Sequence, residues 1–252
     1  MASTQSIQLH GSGPDKSRQL SSHPHQAVVY EKYQELLVTD LGSDSVCRFK
    51  KNDDGLWQLS GHVGFEAGGG PRHVALHGKA SILSFHFILY TCNFFLDGYL
   101  FTILELKNKV VLHRFPPLPA LPTFIKSTPT MSNPPPASSN QLAAEILIPP
   151  TNEFFPTPYL YLSNRNDPSP QGDIISIFSI HNPGSLDLIA EIRTGLKHLR
   201  GMVFGGPNDK YLVAGGVDGG GVKVFERIDG GKSLQLVATN SSIQAPTSFL
   251  WL

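Results

Sequence analysis

The sequence predicts an all-β protein, built as a β-propeller of four-stranded blades. Gly (24 residues) and Pro (20 residues) are frequent among the 252 residues, whereas charged residues make up only 16%. This composition favours short strands joined by many turns over a helical bundle. Short runs of alternating apolar residues, bounded by Asn, Asp, Gly and Pro, recur along the chain and are typical of strands and hairpins. The same order of strands and turns then repeats, which indicates blades.

Four copies of the repeat are visible. Their strand-like runs cover residues 35–40, 45–49 and 56–59 in the first copy, 101–105 and 109–115 in the second, 159–164, 173–178 and 186–189 in the third, and 210–214, 221–225 and 234–237 in the fourth. The spacing of the last two copies is close to the roughly 40–50 residues of a propeller blade. One blade cannot bury both faces of its sheet, so the blades are expected to stack around a common axis.

The predicted domain organisation is simple. Residues 1–20 are expected to be an irregular N-terminal segment, and residues 21–252 a partial β-propeller domain of about four blades. Two segments interrupt the repeat. Residues 80–99 are mostly apolar and aromatic, and they are interpreted as an insertion foreign to the repeat. Polar residues interrupt this segment too often for a membrane-spanning helix. Residues 115–140 are rich in Pro, Ser and Thr and are predicted to be a surface loop.

Charge and cysteine content exclude several classes of protein. Lys and Arg (20) balance Asp and Glu (20), so neither a nucleic acid nor a membrane surface is predicted as a partner. Cys47 and Cys92 form neither a disulfide framework nor a metal-binding pair, which favours a reducing compartment. The N-terminus has no apolar stretch of the kind that a secretory signal needs. A cytoplasmic location is therefore expected.

Two short patterns have a functional and a structural interpretation. Gly68, Gly69 and Gly70 are able to cradle a phosphate, but a tight connection between strands is the preferred interpretation. His23 and His25 flank a proline and suggest a metal, but two histidines without a third ligand do not predict one. No metal and no cofactor are expected.

A set of motifs in a fixed order carries a family resemblance. These motifs are Ser22-His23-Pro24-His25-Gln26, Asp40-Leu41-Gly42-Ser43-Asp44, Gly69-Gly70-Pro71-Arg72-His73-Val74-Ala75-Leu76-His77, Ala143-Ala144-Glu145-Ile146 and Tyr159-Leu160-Tyr161-Leu162-Ser163-Asn164-Arg165. Together they resemble the seven-bladed β-propeller lactonase family, which includes 6-phosphogluconolactonase and carboxy-cis,cis-muconate cyclase. The resemblance runs from about Ser21 to the end of the chain, apart from the two interruptions.

The sequence departs from the family pattern in three ways. About four blades are visible where the resemblance implies seven. The sequence before His23 is already similar to the middle of the family pattern, whereas residues 246–251 resemble the end of that pattern. An N-terminally truncated fragment is therefore expected. The later Pro-Arg motif of the family reads Leu199-Arg200-Gly201 in this chain.

The resemblance also implies a set of site residues. The catalytic candidates are His25 and Glu105, and the substrate-binding candidates are Arg72, Arg165, His73 and Glu145. Arginine suits the phosphate or carboxylate of an acidic lactone. Ring opening needs a base that activates water, together with a positive group near the carbonyl oxygen. These residues are expected to converge on one mouth of the central channel.

Structural alternatives stay open for five of these six candidates. Glu105 is equally suited to cap a turn, and Arg72 to pair with a carboxylate of a neighbouring blade. Arg165 is equally suited to be a solvated turn residue, and Glu145 to serve the packing between blades. His25 has the alternative role of a hydrogen-bonded histidine at a strand end.

The sequence therefore favours a sugar-lactone hydrolase of the 6-phosphogluconolactonase type that acts without a cofactor on a small acidic lactone. The first alternative is a carboxy-cis,cis-muconate cyclase, an isomerase that acts on a muconate-like substrate. The second alternative is a non-catalytic propeller that binds a metabolite or a protein, or an inactive fragment, because the fold alone does not determine the function.

Overall fold

A computed structural model describes residues 5–78, 98–136, 139–182 and 184–251. Within these residues, sixteen strands form four separate four-stranded sheets. Within each sheet, strands that are consecutive in the sequence pair antiparallel, so each sheet is a simple meander. The predicted all-β fold of four-stranded blades is confirmed.

The first two blades are built from the first half of the chain. They comprise β1 (Pro24–Tyr30), β2 (Glu35–Asp40), β3 (Ser45–Lys51) and β4 (Trp57–Gly64) in blade 1, and β5 (Pro71–His77), β6 (Gly98–Leu104), β7 (Lys109–Phe115) and β8 (Thr123–Pro129) in blade 2. Short 3₁₀ turns at Glu31–Tyr33, Leu41–Ser43 and Glu105–Lys107 connect some of these strands. Asp40 caps the second of these turns by accepting a hydrogen bond from the Gly42 amide.

The last two blades follow the same plan. They comprise β9 (Leu142–Leu147), β10 (Tyr159–Arg165), β11 (Ile174–Ser179) and β12 (Asp187–Arg193) in blade 3, and β13 (Lys197–Gly205), β14 (Tyr211–Gly219), β15 (Gly221–Ile228) and β16 (Ser233–Asn240) in blade 4. Contacts join β1 to β5, β5 to β9 and β9 to β13. The first strand of each blade is therefore the innermost one, next to the axis of the propeller.

The hydrophobic core lies between successive blades. One cluster joins Leu37 of blade 1 to Leu100 of blade 2. A second cluster joins Phe101 of blade 2 to Leu160 of blade 3. The third joins Tyr161 of blade 3 to blade 4. Each sheet thus buries apolar side chains against the next sheet, which is how the stacked blades stabilise one another.

A buried ion pair adds a polar link between blades 1 and 2. Arg48 donates to the Glu35 carboxylate from Nε (2.9 Å) and Nη2 (3.0 Å). The same guanidinium donates to the carbonyl oxygens of Pro116 (2.8 Å) and Ala120 (3.2 Å), which follow β7. Because the pair is bidentate and its remaining donors are satisfied, it fixes the proline-rich chain after β7 against blade 1.

The expected loop at 115–140 is wrong in its middle part, because Thr123–Pro129 forms β8, the fourth strand of blade 2. The run Thr-Phe-Ile-Lys-Ser-Thr is rich in β-branched residues, and it pairs with β7 from Lys109↔Pro129 to Arg114↔Thr123. The flanking prolines made this segment resemble a loop in the sequence. Prolines are tolerated at the ends of an edge strand, where no ladder hydrogen bond is needed.

Residues 80–97 of the expected insertion at 80–99 lie outside the described residues. Gly98 and Tyr99 belong to β6, where Tyr99 pairs with His77. Among the residues that the structure describes, no helix is long and apolar enough to cross a membrane.

In the N-terminal segment, residues 5–20 contain no strand or helix. This segment is held to blade 1 by hydrogen bonds between Gln5 and Trp57 and between Gln19 and the Leu41 carbonyl oxygen.

The C-terminal segment covers the face of blade 4 that points away from blade 3. Three glycines on this face have no side chain and leave room for the segment. A Cβ atom at Gly201 would lie 2.6 Å from the Thr247 carbonyl oxygen, and one at Gly215 would lie 2.6 Å from the Phe249 ring. A Cβ atom at Gly205 would overlap the Trp251 ring. These glycines therefore permit close approach of the chain.

We expect Gly215→Ala to displace this C-terminal segment, because the added methyl group also meets Pro246 at 2.7 Å. The free energy of unfolding is expected to fall by about 1 kcal/mol, the lower end of the cost of overpacking. Urea unfolding measures this change, and limited proteolysis should cleave the variant earlier near its C-terminus. Gly64→Ala is the matched control, because no atom lies within 4 Å of a Cβ at Gly64. Equal stability and equal cleavage of both variants would contradict the packing.

Candidate active site

A bulge in each innermost strand directs a side chain toward the axis of the propeller. The pairing of β1 with β2 skips His25, and the pairing of β5 with β6 skips Arg72. In β13 the pairing skips His198 and then Arg200, and in β9 the shift falls at Ala144 and Glu145. A bulged residue leaves the regular alternation of a strand, so its side chain can be redirected. The repeat thus places four inner-strand positions around one end of the channel.

Glu105 lies at the centre of a cluster of arginines. It follows β6 directly and is 1% exposed. Its Oε2 lies 3.0 Å from Nε of Arg72 and 2.9 Å from Nη2 of Arg165, and its Oε1 accepts a hydrogen bond from Arg18. Arg72 and Arg165 are 2% and 3% exposed, whereas the Arg18 side chain is 39% exposed. Four separate segments of the chain therefore meet at this one carboxylate.

The cluster keeps Glu105 ionised. Burial by itself raises the pKa of a carboxyl group, but Arg165, Arg72 and Arg18 together outweigh burial and lower the pKa of Glu105 below its usual range. Because guanidiniums engage both of its oxygens, this carboxylate has no free oxygen to accept a proton from water. Its geometry suits the alignment of the arginines around it.

A second chain of contacts connects Glu145 to His25 through His73. Oε2 of Glu145 lies 2.6 Å from Nδ1 of His73, and Nε2 of His73 lies 3.0 Å from Nδ1 of His25. A carboxylate only accepts hydrogen bonds, so Nδ1 of His73 is assigned as the donor to Glu145. Nε2 of His73 then accepts from Nδ1–H of His25. This assignment leaves Nε2 of His25 unprotonated and able to accept a proton.

His25 is neutral in this environment. Burial, followed by the charge of Arg72, lowers the pKa of His25 to about 4. Nε2 of His25 has no hydrogen-bond partner among the residues that the structure describes. The arrangement of a carboxylate, an orienting histidine and a neutral terminal histidine is suited to general-base chemistry.

A third chain of contacts extends the cluster into blade 4. Nη1 of Arg165 lies 3.3 Å from Nε2 of His198, and Nδ1 of His198 lies 3.3 Å from the Asp218 carboxylate. Burial lowers the pKa of Arg165 to about 10, which still leaves the guanidinium charged at neutral pH. Blade 4 therefore contributes polar groups to the same end of the channel.

The structure brings all six sequence-predicted site residues together: His25, Arg72, His73, Glu105, Glu145 and Arg165. Sequence reasoning missed Arg18, His198 and Arg200. Arg18 lies in the irregular N-terminal segment, where no repeat marks it. Arg200 carried a signal, because Leu199-Arg200 stands where the family pattern has Pro-Arg, and the bulge in β13 matches the bulge at Arg72.

The glycine-rich segment is a connection and not an open cradle. Its backbone amides already bind a carboxylate: Gly68 and Gly70 donate to Asp44 at 2.7 and 2.8 Å. In the described ranges, no group of three or more His, Cys, Asp or Glu residues is arranged to hold a metal ion.

Comparisons with known proteins agree with the architecture. A family model described as lactonase, 7-bladed β-propeller, matches residues 1–251. The 6-phosphogluconolactonase of Bacillus subtilis (strain 168) is 26% identical over 243 residues, which cover 96% of this chain and 60% of that protein. The probable 6-phosphogluconolactonase of Arthroderma benhamiae is 24% identical over 250 residues, which cover 97% of this chain and 57% of that protein.

A solved structure shows the same fold. The crystal structure of a putative 6-phosphogluconolactonase from Bacteroides fragilis NCTC 9343 superimposes with a TM-score of 0.73 at 22% sequence identity. The match covers 96% of this chain and 61% of that structure. The chain thus spans between 57% and 61% of the length of these relatives.

Proposed function

Because the chain belongs to the lactonase family of seven-bladed β-propellers, we propose that it hydrolyses a sugar lactone of the 6-phosphogluconolactone type. The observation that carries the proposal is the contact chain from Glu145 through His73 to His25, next to the arginines that surround Glu105. It joins a neutral base to a strongly positive environment, and ring opening of a lactone needs both.

In the proposed reaction, His25 is the catalytic base. Its Nε2 takes a proton from a water molecule, and the water oxygen attacks the carbonyl carbon of the lactone. The bond between that carbon and the ring oxygen then breaks, and the protonated His25 returns the proton to the departing ring oxygen. The product is the open-chain hydroxy acid. His73 and Glu145 are positioning residues that hold His25 in the required tautomer.

Arg72 and Arg165 are proposed to stabilise the negative charge that forms on the carbonyl oxygen. Both guanidiniums are almost completely buried, so water screens their charges weakly. Glu105 holds Arg165 and Arg72 in place by ion pairs at 2.9 and 3.0 Å. The names of the relatives from Bacillus subtilis and Arthroderma benhamiae support a phosphorylated sugar lactone as the substrate.

We place this activity in the cytoplasm, as the low cysteine content suggested. Cys47 is buried and free, and it is the one cysteine among the described residues. Free thiols are typical of reducing compartments. The proposed partner is the small lactone itself, with no cofactor.

The test is product analysis by NMR with the purified chain. We expect 6-phosphogluconolactone to be converted to 6-phosphogluconate faster than its spontaneous hydrolysis. A carboxymuconate offered in parallel separates hydrolysis from the cyclase reaction, because cyclisation moves a proton without consuming water. Conversion of the carboxymuconate alone, or of neither compound by a folded sample, would contradict the proposal.

The pH dependence of kcat/KM is a further prediction. His25 acts as a base only when it is neutral, so activity is present above its folded pKa of about 4 and is lost as the pH falls through that value. With the ordinary pKa of histidine, this acidic limb of the pH profile, where activity is lost, would instead lie near pH ~6.5. Initial rates from acid to neutral pH, corrected for spontaneous hydrolysis, measure where the acidic limb lies. An unphosphorylated sugar lactone is the control, because a phosphate itself titrates near pH ~6. A limb near the ordinary histidine value would contradict the role of His25.

A further inference from the structure

We propose that Arg200 binds the anionic group of the substrate and makes the site selective for a phosphorylated lactone. The inference rests on the proposed lactonase function of the same site, and it assigns a role to a residue outside the chemical steps. Arg200 occupies the bulge of β13, which is the position that His25 occupies in β1 and Arg72 in β5. Its side chain is thus directed by the same local geometry toward the same end of the channel.

The two buried arginines already have carboxylate partners. Arg72 contacts Glu105 at 3.0 Å and Glu145 at 3.3 Å, and it also donates to the Ala144 carbonyl oxygen. Arg165 contacts Glu105 at 2.9 Å. Both guanidiniums are thereby fixed beside Glu105, where the proposed reaction uses them for the carbonyl oxygen, so neither is free to bind a second anionic group of the substrate.

Arg200 differs from both of them. It is partly buried, and its side chain makes no ion pair and no hydrogen bond with any residue in the described part of the chain. Its charge nevertheless acts on several members of the cluster. Burial is the main cause that lowers the pKa of His25 and of Arg165, and the positive charge of Arg200 lowers both further. Arg200 is therefore a free cation that faces the same space as the proposed base.

The charge balance of the site also favours the binding of an anion. The site contains four guanidiniums, from Arg18, Arg72, Arg165 and Arg200, and two carboxylates, from Glu105 and Glu145. This leaves an excess of positive charge. Asp218 of blade 4 is 64% exposed and contacts His198, so it offsets only part of that excess. A cluster of like charges is unfavourable without a counter-charge, and a bound anion supplies one.

The chemistry of a guanidinium specifies the kind of anion. The planar fork of an arginine donates two parallel hydrogen bonds to two oxygens of a phosphate, which is a stronger and more directional contact than a lysine provides. A sugar lactone that carries a phosphate away from its carbonyl group offers such an anion without occupying the position of the reacting ester. An unphosphorylated lactone offers the same ester but no partner for Arg200.

The test compares Arg200→Gln with the wild type on two lactones, 6-phosphogluconolactone and unphosphorylated gluconolactone. We expect kcat/KM for the phosphorylated lactone to fall at least about 30-fold, as is typical for the loss of charged hydrogen bonds. The loss for the unphosphorylated lactone is expected to be at least about tenfold smaller, because that lactone offers no partner for Arg200. Arg193→Gln is the matched control, because it removes a positive charge from the outer strand of blade 3, where Arg193 pairs with Asp167. Equal losses on both lactones, or no loss on either, would overturn the role of Arg200.

A binding measurement separates this inference from the proposed function. Titration calorimetry with the product, 6-phosphogluconate, is expected to show binding to the wild type and to Arg193→Gln, and at least about 30-fold weaker binding to Arg200→Gln. If the wild type binds this compound through Arg200 but hydrolyses neither lactone, the inference stands and the proposed function fails. If the wild type hydrolyses the lactones and Arg200→Gln binds the product equally well, the inference fails alone. Absence of binding to the folded wild type also overturns it.

Discussion

Replacement of Glu105 by glutamine is expected to lower the free energy of unfolding by about 3–5 kcal/mol, the usual cost of removing one partner from a buried ion pair. Glu105 is 1% exposed, and its two oxygens contact Arg18, Arg72 and Arg165. The glutamine amide has a similar shape but carries no charge, so two buried guanidiniums would lose this counter-charge. Chemical denaturation of the wild type and the variant at neutral pH measures the difference.

The pH dependence of this difference has a defined sign. The arginines lower the pKa of Glu105 in the folded state, so the ionised carboxylate stabilises the fold fully above its unfolded pKa. This stabilisation is lost as the pH falls through the lower, folded pKa, and the wild type and Glu105→Gln are then expected to become equally stable. Glu66→Gln is the control, because Glu66 forms an exposed pair with Lys109 and should cost less than about 1 kcal/mol. Stability of Glu105→Gln equal to that of Glu66→Gln at neutral pH would show that Glu105 does not hold the cluster together.

Replacement of His25 by glutamine is expected to reduce kcat by a factor of about 10²–10⁴, the usual contribution of a general base. The glutamine side chain retains a polar group near His73 but cannot take a proton from water. The stability of the fold is expected to change little, because His25 is only partly buried and its ring hydrogen-bonds, among the described residues, to His73 alone. Steady-state kinetics with the phosphorylated lactone measures the loss, and circular dichroism verifies the fold.

His23→Gln provides the matched control for this experiment. His23 lies two residues away on the same segment, and its side chain is exposed. Its backbone amide donates to Asp40 at 2.6 Å, a contact that the substitution preserves. We expect wild-type kinetics for this control. A loss of less than about threefold for His25→Gln, in a folded sample, would remove His25 from the role of base.

The blades were predictable from the sequence because their signal is local. Alternating apolar residues and turn residues recur in each copy, and the strands β2, β3, β10, β11, β14 and β15 match these patterns closely. The strand Thr123–Pro129 was missed because prolines surround it, and its place is determined by pairing with β7. A composition-based interpretation gives weight to the prolines, whereas the sheet needs only the residues between them.

The candidate site was only partly predictable, because contacts between blades depend on long-range structure. The family resemblance indicated the six residues, but not which of them contact one another. The sequence does not show that His73 lies between Glu145 and His25, since the three residues come from three different blades. Arg18 was missed because its position depends on the path of an irregular segment. The bulge that directs Arg200 toward the channel is a feature of strand register, which periodicity alone does not reveal.

The most direct test of the central claim is the initial rate of 6-phosphogluconolactone hydrolysis by the purified, folded chain, measured against the spontaneous rate in the same buffer. We expect a rate that is proportional to protein concentration and saturates with substrate. In His25→Gln the rate is expected to fall to nearly the spontaneous value. A folded wild-type sample that leaves the spontaneous rate unchanged would contradict the assignment of this cluster as a lactone-opening site.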